Sequence, residues 1–366
     1  MSPLARRRLA NFRANRRALW SLWIFSMLFG LSLIAEVIAN DKPILVSYRG
    51  DLHMPILREY AETDFGGEFQ TEAEYPSPEV QCLIITGGLD LCFDDPEGYI
   101  EDAGDGMIEG GAISRGWLLW PPIPYSFNTI NYEVVRAPSA PDEDHLLGTD
   151  NQTRDVLARV IYGFRISVLF AIAVTLVSSV IGIAAGAIQG YFGGLTDLIF
   201  QRIVEIWQAT PFLYVTIIVS AFFTLTFWPL TLLVALFGWT ALVGVVRAEF
   251  LRARNFEYVR AARALGMPDR TIITRHVLPN AMVATVTLIP FIFTSAIAGL
   301  ATLDFLGFGL PPSYPSLGEL TLQAKNDLNA PWLGITAFMT YAIMLSLLVF
   351  IFEGVRDAFD PRKTFK

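Results

Sequence analysis

The sequence is poor in the side chains from which reactive sites are built. It has two cysteines and three histidines in 366 residues. His53, His145 and His276 lie far apart, and neither H-E-x-x-H nor a Cys/His cluster occurs, which argues against a zinc site. Each lone histidine reads as a surface or loop residue. The four lysines, at 42, 325, 363 and 366, never follow a glycine. The phosphate-cradling loop G-x-x-x-x-G-K-[ST] is therefore missing, and ATP hydrolysis belongs to another chain. The G-x-S-x-G nucleophile elbow is missing too. A chain without these constellations reads as a non-enzyme that carries no cofactor of its own. Charge is also scarce, at 17% of residues.

Apolar residues are abundant instead. They make up 53% of the chain, with a mean hydropathy of +0.45, too high for a soluble domain of this length. They arrive in six blocks, 18–39, 166–188, 198–225, 228–246, 281–303 and 332–352. Each approaches the roughly 20 residues that cross a bilayer as a helix. The first block is longer than a signal-peptide core and lacks a small-residue cleavage site, so it reads as a span. The fold class expected is an all-α membrane protein of six transmembrane helices with an insert between the first two.

Charge orients the spans. Residues 41–155 hold 23 acids against 6 bases, a net −17, and the remainder holds 12 against 21, a net +9, which together give the −8 of the whole chain. Basic residues near span ends stay cytoplasmic. Residues 1–17 carry six arginines and no acid, so the N-terminus is expected inside. Six crossings then put the insert outside, and the loop 247–280, with seven arginines against three acids, inside. The tail 357–366 is expected inside as well. The arginine cluster sits directly before a span, so it reads as a topology anchor and not as a nucleic-acid site.

The insert, 40–146, holds Cys82 and Cys92, neither with metal-site spacing. In an oxidising compartment this pair predicts a disulfide; two free thiols are the alternative. Trp117, Trp120, Tyr125 and Phe127 give it something to pack. The stretch 86–113, with seven glycines and eight acids, reads as a loose loop. Within it, 94–106 fails the calcium-loop pattern before Gly106. After the insert, Asp150 is a candidate helix cap. Val156, Leu157, Val160 and Ile161 then recur at helical spacing, predicting an amphipathic helix on the membrane before the second span.

Inside the spans, Gly182, Gly186 and Gly190 form a four-residue repeat that suits close helix packing. Pro211 predicts a kink or break in the third span. Charges at or near spans are Glu36, Arg165, Asp197, Arg202, Glu205 and Glu353. Arg202 and Glu205, three apart, read as a structural pair on one helix face, with a substrate or proton site as the alternative.

The loop 258–280, YVRAARALGMPDRTIITRHVLPN, is helical in composition yet lies between apolar blocks. Good helix formers precede Gly266, a natural helix stop, and Pro268 follows it. Small Ala261 and Ala262 would let the first helix sit deep in a partner's groove, Gly266 permits reversal, and a second helix runs through Pro279 into the fifth span. This loop resembles the coupling loop of importer-type ABC permeases, whose pattern is Glu-Ala-Ala, three residues, Gly, nine residues, Ile-x-Leu-Pro. Here Arg260 stands for the Glu, and His276 stands for the Ile.

Four segments together resemble the C-type subunit of the dipeptide/oligopeptide permease family. They are LGTDNQTRDVLARVIYGFRIS, GYFGGLTDLIFQRIVEIWQATP, the coupling loop with RHVLPNA, and LDFLGFGLPPSYPSLGEL followed by the tail RDAFDPR. The opening 17–80 is similar to a narrower group, the Yej-type permeases of peptide importers that also admit microcin C. The resemblance implies a permease core over 147–356, with a first helix at 18–39 and the coupling loop at 248–280, in the type I ABC importer fold of a bacterial inner membrane. It implies Arg260, Ala261, Ala262, Gly266 and Pro279 as the ATPase-coupling residues. It implies as partners a second (B-type) permease, ATP-binding subunits that hold the ATP and Mg, a periplasmic solute-binding protein, a peptide substrate and the lipid bilayer, with no nucleic acid. Nickel or another small solute on the same scaffold is the alternative cargo, and a membrane-anchored enzyme is the alternative class.

Overall fold

The computed structural model describes residues 3–105 and 115–359. Part of the loop 86–113, the Gly106 end of the acidic stretch and the tail 360–366 fall outside the described residues. The chain divides into two compact units, Met1–Gly30 with Gly163–Lys366, and Leu31–Tyr162.

Two helices open the chain, α1 (Pro3–Ala14) and α2 (Arg16–Leu33). Asn15 starts the second: its side-chain oxygen accepts the Ala18 N–H at 3.3 Å, the cap that a short polar side chain supplies. The expected first span is not one unbroken helix. α2 stops at Leu33, and after a break at Ile34 a short α3 (Ala35–Ile38) follows.

The insert is not all helical. It contains a three-stranded antiparallel sheet in the order β2-β1-β3, from β1 (Leu45–Tyr48), β2 (Asp51–His53) and β3 (Trp117–Leu119). Arg49 and Gly50, both at positive φ, make the two-residue reversal whose twist suits a hairpin. Strands of three or four residues give too short an alternation to read from sequence. α4 (Pro78–Thr86) packs Val80 and Ile84 on Val46, Tyr48 and Phe65, with Trp120 at the edge. Burial pushes the Tyr75 hydroxyl well above its ordinary value, so this core residue stays neutral.

Much of the expected loose loop is ordered. Asp90–Phe93 is a 3₁₀ turn, and α5 (Pro96–Asp105) follows. Cys82 and Cys92 form a disulfide with Cα atoms 5.7 Å apart, covered by Leu89, Tyr99 and Ile100. Those apolar residues and the crosslink anchor a segment whose composition alone suggests none. Mass spectrometry of non-reduced protein is expected to recover the two cysteine peptides linked; both thiols alkylating without reductant would contradict this. Cys82→Ser is expected to cost the insert about 3 kcal/mol, the entropy of closing so short a loop. Transport at matched protein level should be largely unchanged.

α6 (Val156–Phe192) then runs for 37 residues without interruption, so the expected separate surface helix merges with the span. Its cap is Asp155 and not Asp150: Asp155 Oδ1 accepts the Ala158 N–H at 2.7 Å. Asp150 has another task. It is buried, accepts Arg154 Nε at 2.8 Å, and lies 3.5 Å from Arg159 Nε. His145 lies in a loop, one of the two positions expected of it, but it is buried. Its Nδ1 lies 2.8 Å from Asp155 Oδ2, and its Nε2 lies 3.1 Å from Asn131 Nδ2. An amide nitrogen only donates, so Nε2 accepts and Nδ1 carries the proton toward Asp155.

The other unit is a bundle of apolar helices. α7 (Gly194–Ala209) and α8 (Phe212–Phe222) meet at 72°, α9 (Phe227–Gly238) and α10 (Thr240–Ala253) at 40°. Asp269–Val286 and Ile289–Phe305 meet at 52°, and a final helix runs over Pro331–Phe359. Among the described residues two helices are long and apolar enough to cross a membrane, and up to five segments are if each bent pair is one span. These five coincide with the last five apolar blocks. The bend expected at Pro211 is there: Thr210 is extended, and Pro211 starts α8. The glycine repeat of α6 faces α10. A Cβ at Gly186 would meet Val243 O at 2.8 Å, and one at Gly190 would meet Arg247 O at 2.5 Å, so only glycine lets the helices approach this closely.

Candidate functional site

The expected coupling loop is a compact reversal built on the ends of three helices. α11 (Glu257–Ala264) follows α10 after a short turn. It ends at Leu265, and Gly266 takes φ +74°, a left-handed conformation open to glycine at little cost. Met267 N–H closes back on the Ala262 carbonyl at 3.1 Å, which completes the reversal. α12 (Asp269–Thr271) starts beyond Pro268, and a π-helical stretch, Ile272–Val277, leads into α13 (Leu278–Val286). Pro279 has no N–H to give the carbonyl four residues back. The wider winding just before it accommodates that loss.

One side of this reversal is core. Val259 and Ala262 of α11 are buried with Ile272, Val277, Ala281 and Phe250 of α10. Tyr191 at the end of α6 belongs to the same cluster. Its hydroxyl donates to Asp269, and the Arg263 guanidinium lies 5.1 Å over its ring. The neighbouring hydroxyl holds that guanidinium above its ordinary value. Asn280 Nδ2 donates to the Tyr258 hydroxyl at 3.1 Å, tying α13 to α11. The reversal is thus fastened to α6, α10 and α13, and displacing α11 as a body must displace their ends.

The other side is open. Glu257, Arg260, Ala261, Ala264 and Leu265 are exposed at spacings of three and four, and Leu265 is 81% exposed at the tip. The paired alanines therefore do not share a face. Consecutive helical residues point about 100° apart, so Ala262 packs inward while Ala261 points out. Arg260 is exposed, with Nε donating to the Asn255 carbonyl at 3.2 Å. Gly266 and Pro279 are exposed too. Cys82 and Cys92 lie in the insert unit and take no part.

Two polar constellations escaped the sequence reading. Asp197 of α7 binds Arg247 of α10 through both carboxylate oxygens, at 2.5 and 2.7 Å. Fifty residues separate them, so no local spacing marks the pair. Asp304, in α14 (Ile289–Phe305), is buried. It accepts the Leu310 N–H at 2.7 Å and the Ser316 hydroxyl at 2.5 Å. Ser316 in turn caps α15 (Leu317–Asn326), which precedes α16 (Pro331–Phe359). The only sequence signal for Asp304 is an acid at the edge of an apolar block, within LDFLGFGL.

Bent apolar helices and a polar reversal packed on one side and open on the other make up this unit. Residues 178–365, which include the whole reversal, match the family model of the binding-protein-dependent transport system inner membrane component, and the chain belongs to that family. It is 52% identical, over 99% of its length and 98% of the relative, to the inner membrane ABC transporter permease protein YejE of Escherichia coli. It is 51% identical, over 100% of its length and 95% of the relative, to the peptidoglycan transport system permease protein YejE of Agrobacterium fabrum. The oligopeptide transport system permease protein OppC of Haemophilus influenzae is 32% identical over 65% of this chain and 77% of its own length.

Proposed function

We propose that this chain is the permease subunit of an ATP-driven peptide importer of the bacterial inner membrane. It forms half of the translocation pathway beside a second permease. Its α11–Gly266–α12 surface receives an ATP-binding subunit, and an external solute-binding protein delivers the cargo. The observation that carries this reading is the two-sided reversal, with one face locked to the ends of α6, α10 and α13 and the other open. The proposal takes α2 as a sixth span, with both termini cytoplasmic and the insert periplasmic. Oligopeptides and peptidoglycan fragments are the candidate cargoes that the relatives' names support, and microcin C-like peptides are a further candidate that rests on the resemblance of residues 17–80 alone.

Purification from membranes through a tag on this chain is expected to co-elute an ATPase, and reconstituted vesicles are expected to take up peptide when ATP and loaded binding protein are supplied. A chain that purifies without an ATPase and supports no uptake would overturn the reading. Orientation has its own check. In intact cells an impermeant thiol reagent is expected to reach a cysteine at Tyr132, in the insert, but not one at Arg270. Labelling of both from outside would reverse the topology.

A further inference from the structure

α7 buries one side; its uncovered remainder carries apolar Leu198, Ile199, Ile203 and Ile206 and, beside them, a polar edge. Val204 is buried against Ala185 and Val243, and Trp207 Nε1 donates to the Leu236 carbonyl at 2.7 Å, which fixes the side facing the bundle. Gln201, Arg202, Glu205 and Gln208 follow one another at helical spacing along a flank away from it. Arg202 NH1 lies 2.5 Å from Glu205 Oε2, and Gln201 Nε2 lies 3.4 Å from Glu205 Oε1. The side chains of Arg202 and Glu205 are 70% and 45% exposed. Each of these bonds stays within α7. Asp197, on the same helix, behaves differently: it is clamped to Arg247 of α10 and is 17% exposed.

Arg202 lies about 12 Å along α7 from its start, at 1.5 Å per residue. That depth decides what can cover the edge. A charged residue at a helix centre facing hydrocarbon costs about 3 kcal/mol or more. An arginine near a span end can reach water along its stem, but Glu205 and Gln208 lie deeper and have shorter side chains. By contrast the outward residues of α16, Ile335, Phe338, Met339 and Ile343, are apolar and 52–65% exposed, as lipid requires. The uncovered edge of α7 therefore faces water or a polar solute. It offers one positive and one negative group whose bonds, among the described residues, run only to each other and to Gln201 of the same helix, complementary to the carboxylate and ammonium ends of a peptide.

We propose that the edge Gln201–Arg202–Glu205–Gln208 lines the water-filled translocation pathway, where Arg202 exchanges its bond to Glu205 for one to the carboxylate of the passing peptide. This rests on the reading of the chain as a peptide-importer permease. The edge is then a substrate-facing wall and not a structural clamp.

The test uses the assembled transporter in vesicles. The chain has two cysteines, joined in a disulfide, so a single introduced thiol has no background from this chain, and labelling is read on this subunit after it is separated from its partners. Gln201→Cys and Gln208→Cys are expected to react with an impermeant thiol reagent and to react more slowly under saturating peptide, while Ile343→Cys stays unreactive. Thiols at 201 and 208 as silent as that at 343, because lipid or the second permease covers them, would overturn the proposal, as would labelling that peptide does not slow. Arg202→Gln is expected to reduce uptake of a peptide with a free carboxylate about tenfold, the worth of one charge-assisted hydrogen bond. Uptake of the same peptide amidated should change less than twofold; equal losses for both would overturn the carboxylate contact. Wild-type vesicles that take up no peptide would refute the importer reading. Normal wild-type uptake with silent thiols at 201 and 208 would refute this inference alone.

Discussion

Gly266→Leu is expected to abolish most peptide uptake while leaving the protein in the membrane at a normal level. At φ +74° a residue with a Cβ pays roughly 1–2 kcal/mol in backbone strain. Apart from the adjoining Leu265 and Met267, no described atom lies within 4 Å of where that Cβ would sit. The substitution therefore finds room within the chain itself, and its effect has two distinguishable sources. Strain acts through the reversal, loosening the turn that holds α11 against Tyr191 and Ile272. Bulk acts outward, on whatever docks against Leu265 and Ala264. Gly266→Ala carries the same strain with almost none of the bulk.

If strain dominates, Ala and Leu should impair uptake alike. If docking dominates, Leu should be far worse than Ala. In either case ATP hydrolysis in reconstituted vesicles should lose its stimulation by the loaded binding protein. Arg260→Ala should do much less, because the arginine is exposed and its Nε donates to the Asn255 carbonyl of its own chain. Uptake and stimulated hydrolysis, measured at matched protein levels, decide the matter. Normal transport by Gly266→Leu together with a dead Arg260→Ala would mean that a charge, and not the shape of the reversal, makes the contact.

Much of this surface was legible beforehand because its signals are local. A glycine after a run of helix formers, with a proline two residues on, marks a stop and a turn wherever it occurs. The same holds for the apolar blocks, for Pro211 and for the repeat Gly182–Gly186–Gly190, where a missing side chain is itself the signal. What the sequence hid depends on partners far away along the chain. Ala261 and Ala262 look equivalent in a string, and only the position of Val259 and Ile272 turns one inward and leaves the other out. Asp197 and Arg247 meet across fifty residues. His145 is a loop residue, as it looks, but Asp155 and Asn131 close around it and bury it. The sheet of the insert was missed because its strands are shorter than one reliable period of alternation, and α5 because its acids outweigh the few apolar residues that pin it.

Asp150 shows the same lesson with the largest expected cost in stability. In sequence it is a helix cap; in the folded chain Asp155 does the capping and Asp150 serves two buried arginines. Its Oδ2 accepts Arg154 Nε at 2.8 Å and lies 3.5 Å from Arg159 Nε, while Oδ1 accepts the Gln152 N–H at 2.8 Å. Arg154 is 4% exposed and Arg159 is fully buried. Asp150→Ala removes a carboxylate that both buried guanidiniums approach. Breaking a buried ion pair from one side costs about 3–5 kcal/mol, a large part of the stability of a unit this size. Asp155→Ala removes a helix cap of about 1 kcal/mol together with the bond to His145, so it should be the milder change. Asp150→Asn keeps the acceptor for the backbone N–H groups but not the charge, and should fall between wild type and Asp150→Ala. Thermal unfolding of the purified protein in detergent is expected to rank them as wild type, Asp155→Ala or Asp150→Asn, then Asp150→Ala. Replacing Arg154 and Arg159 by methionine in the Asp150→Ala background should recover part of the loss, because two buried positive charges go with them. An Asp150→Ala protein that melts with wild type would show that the carboxylate is dispensable to these arginines and that the start of α6 is held by other contacts.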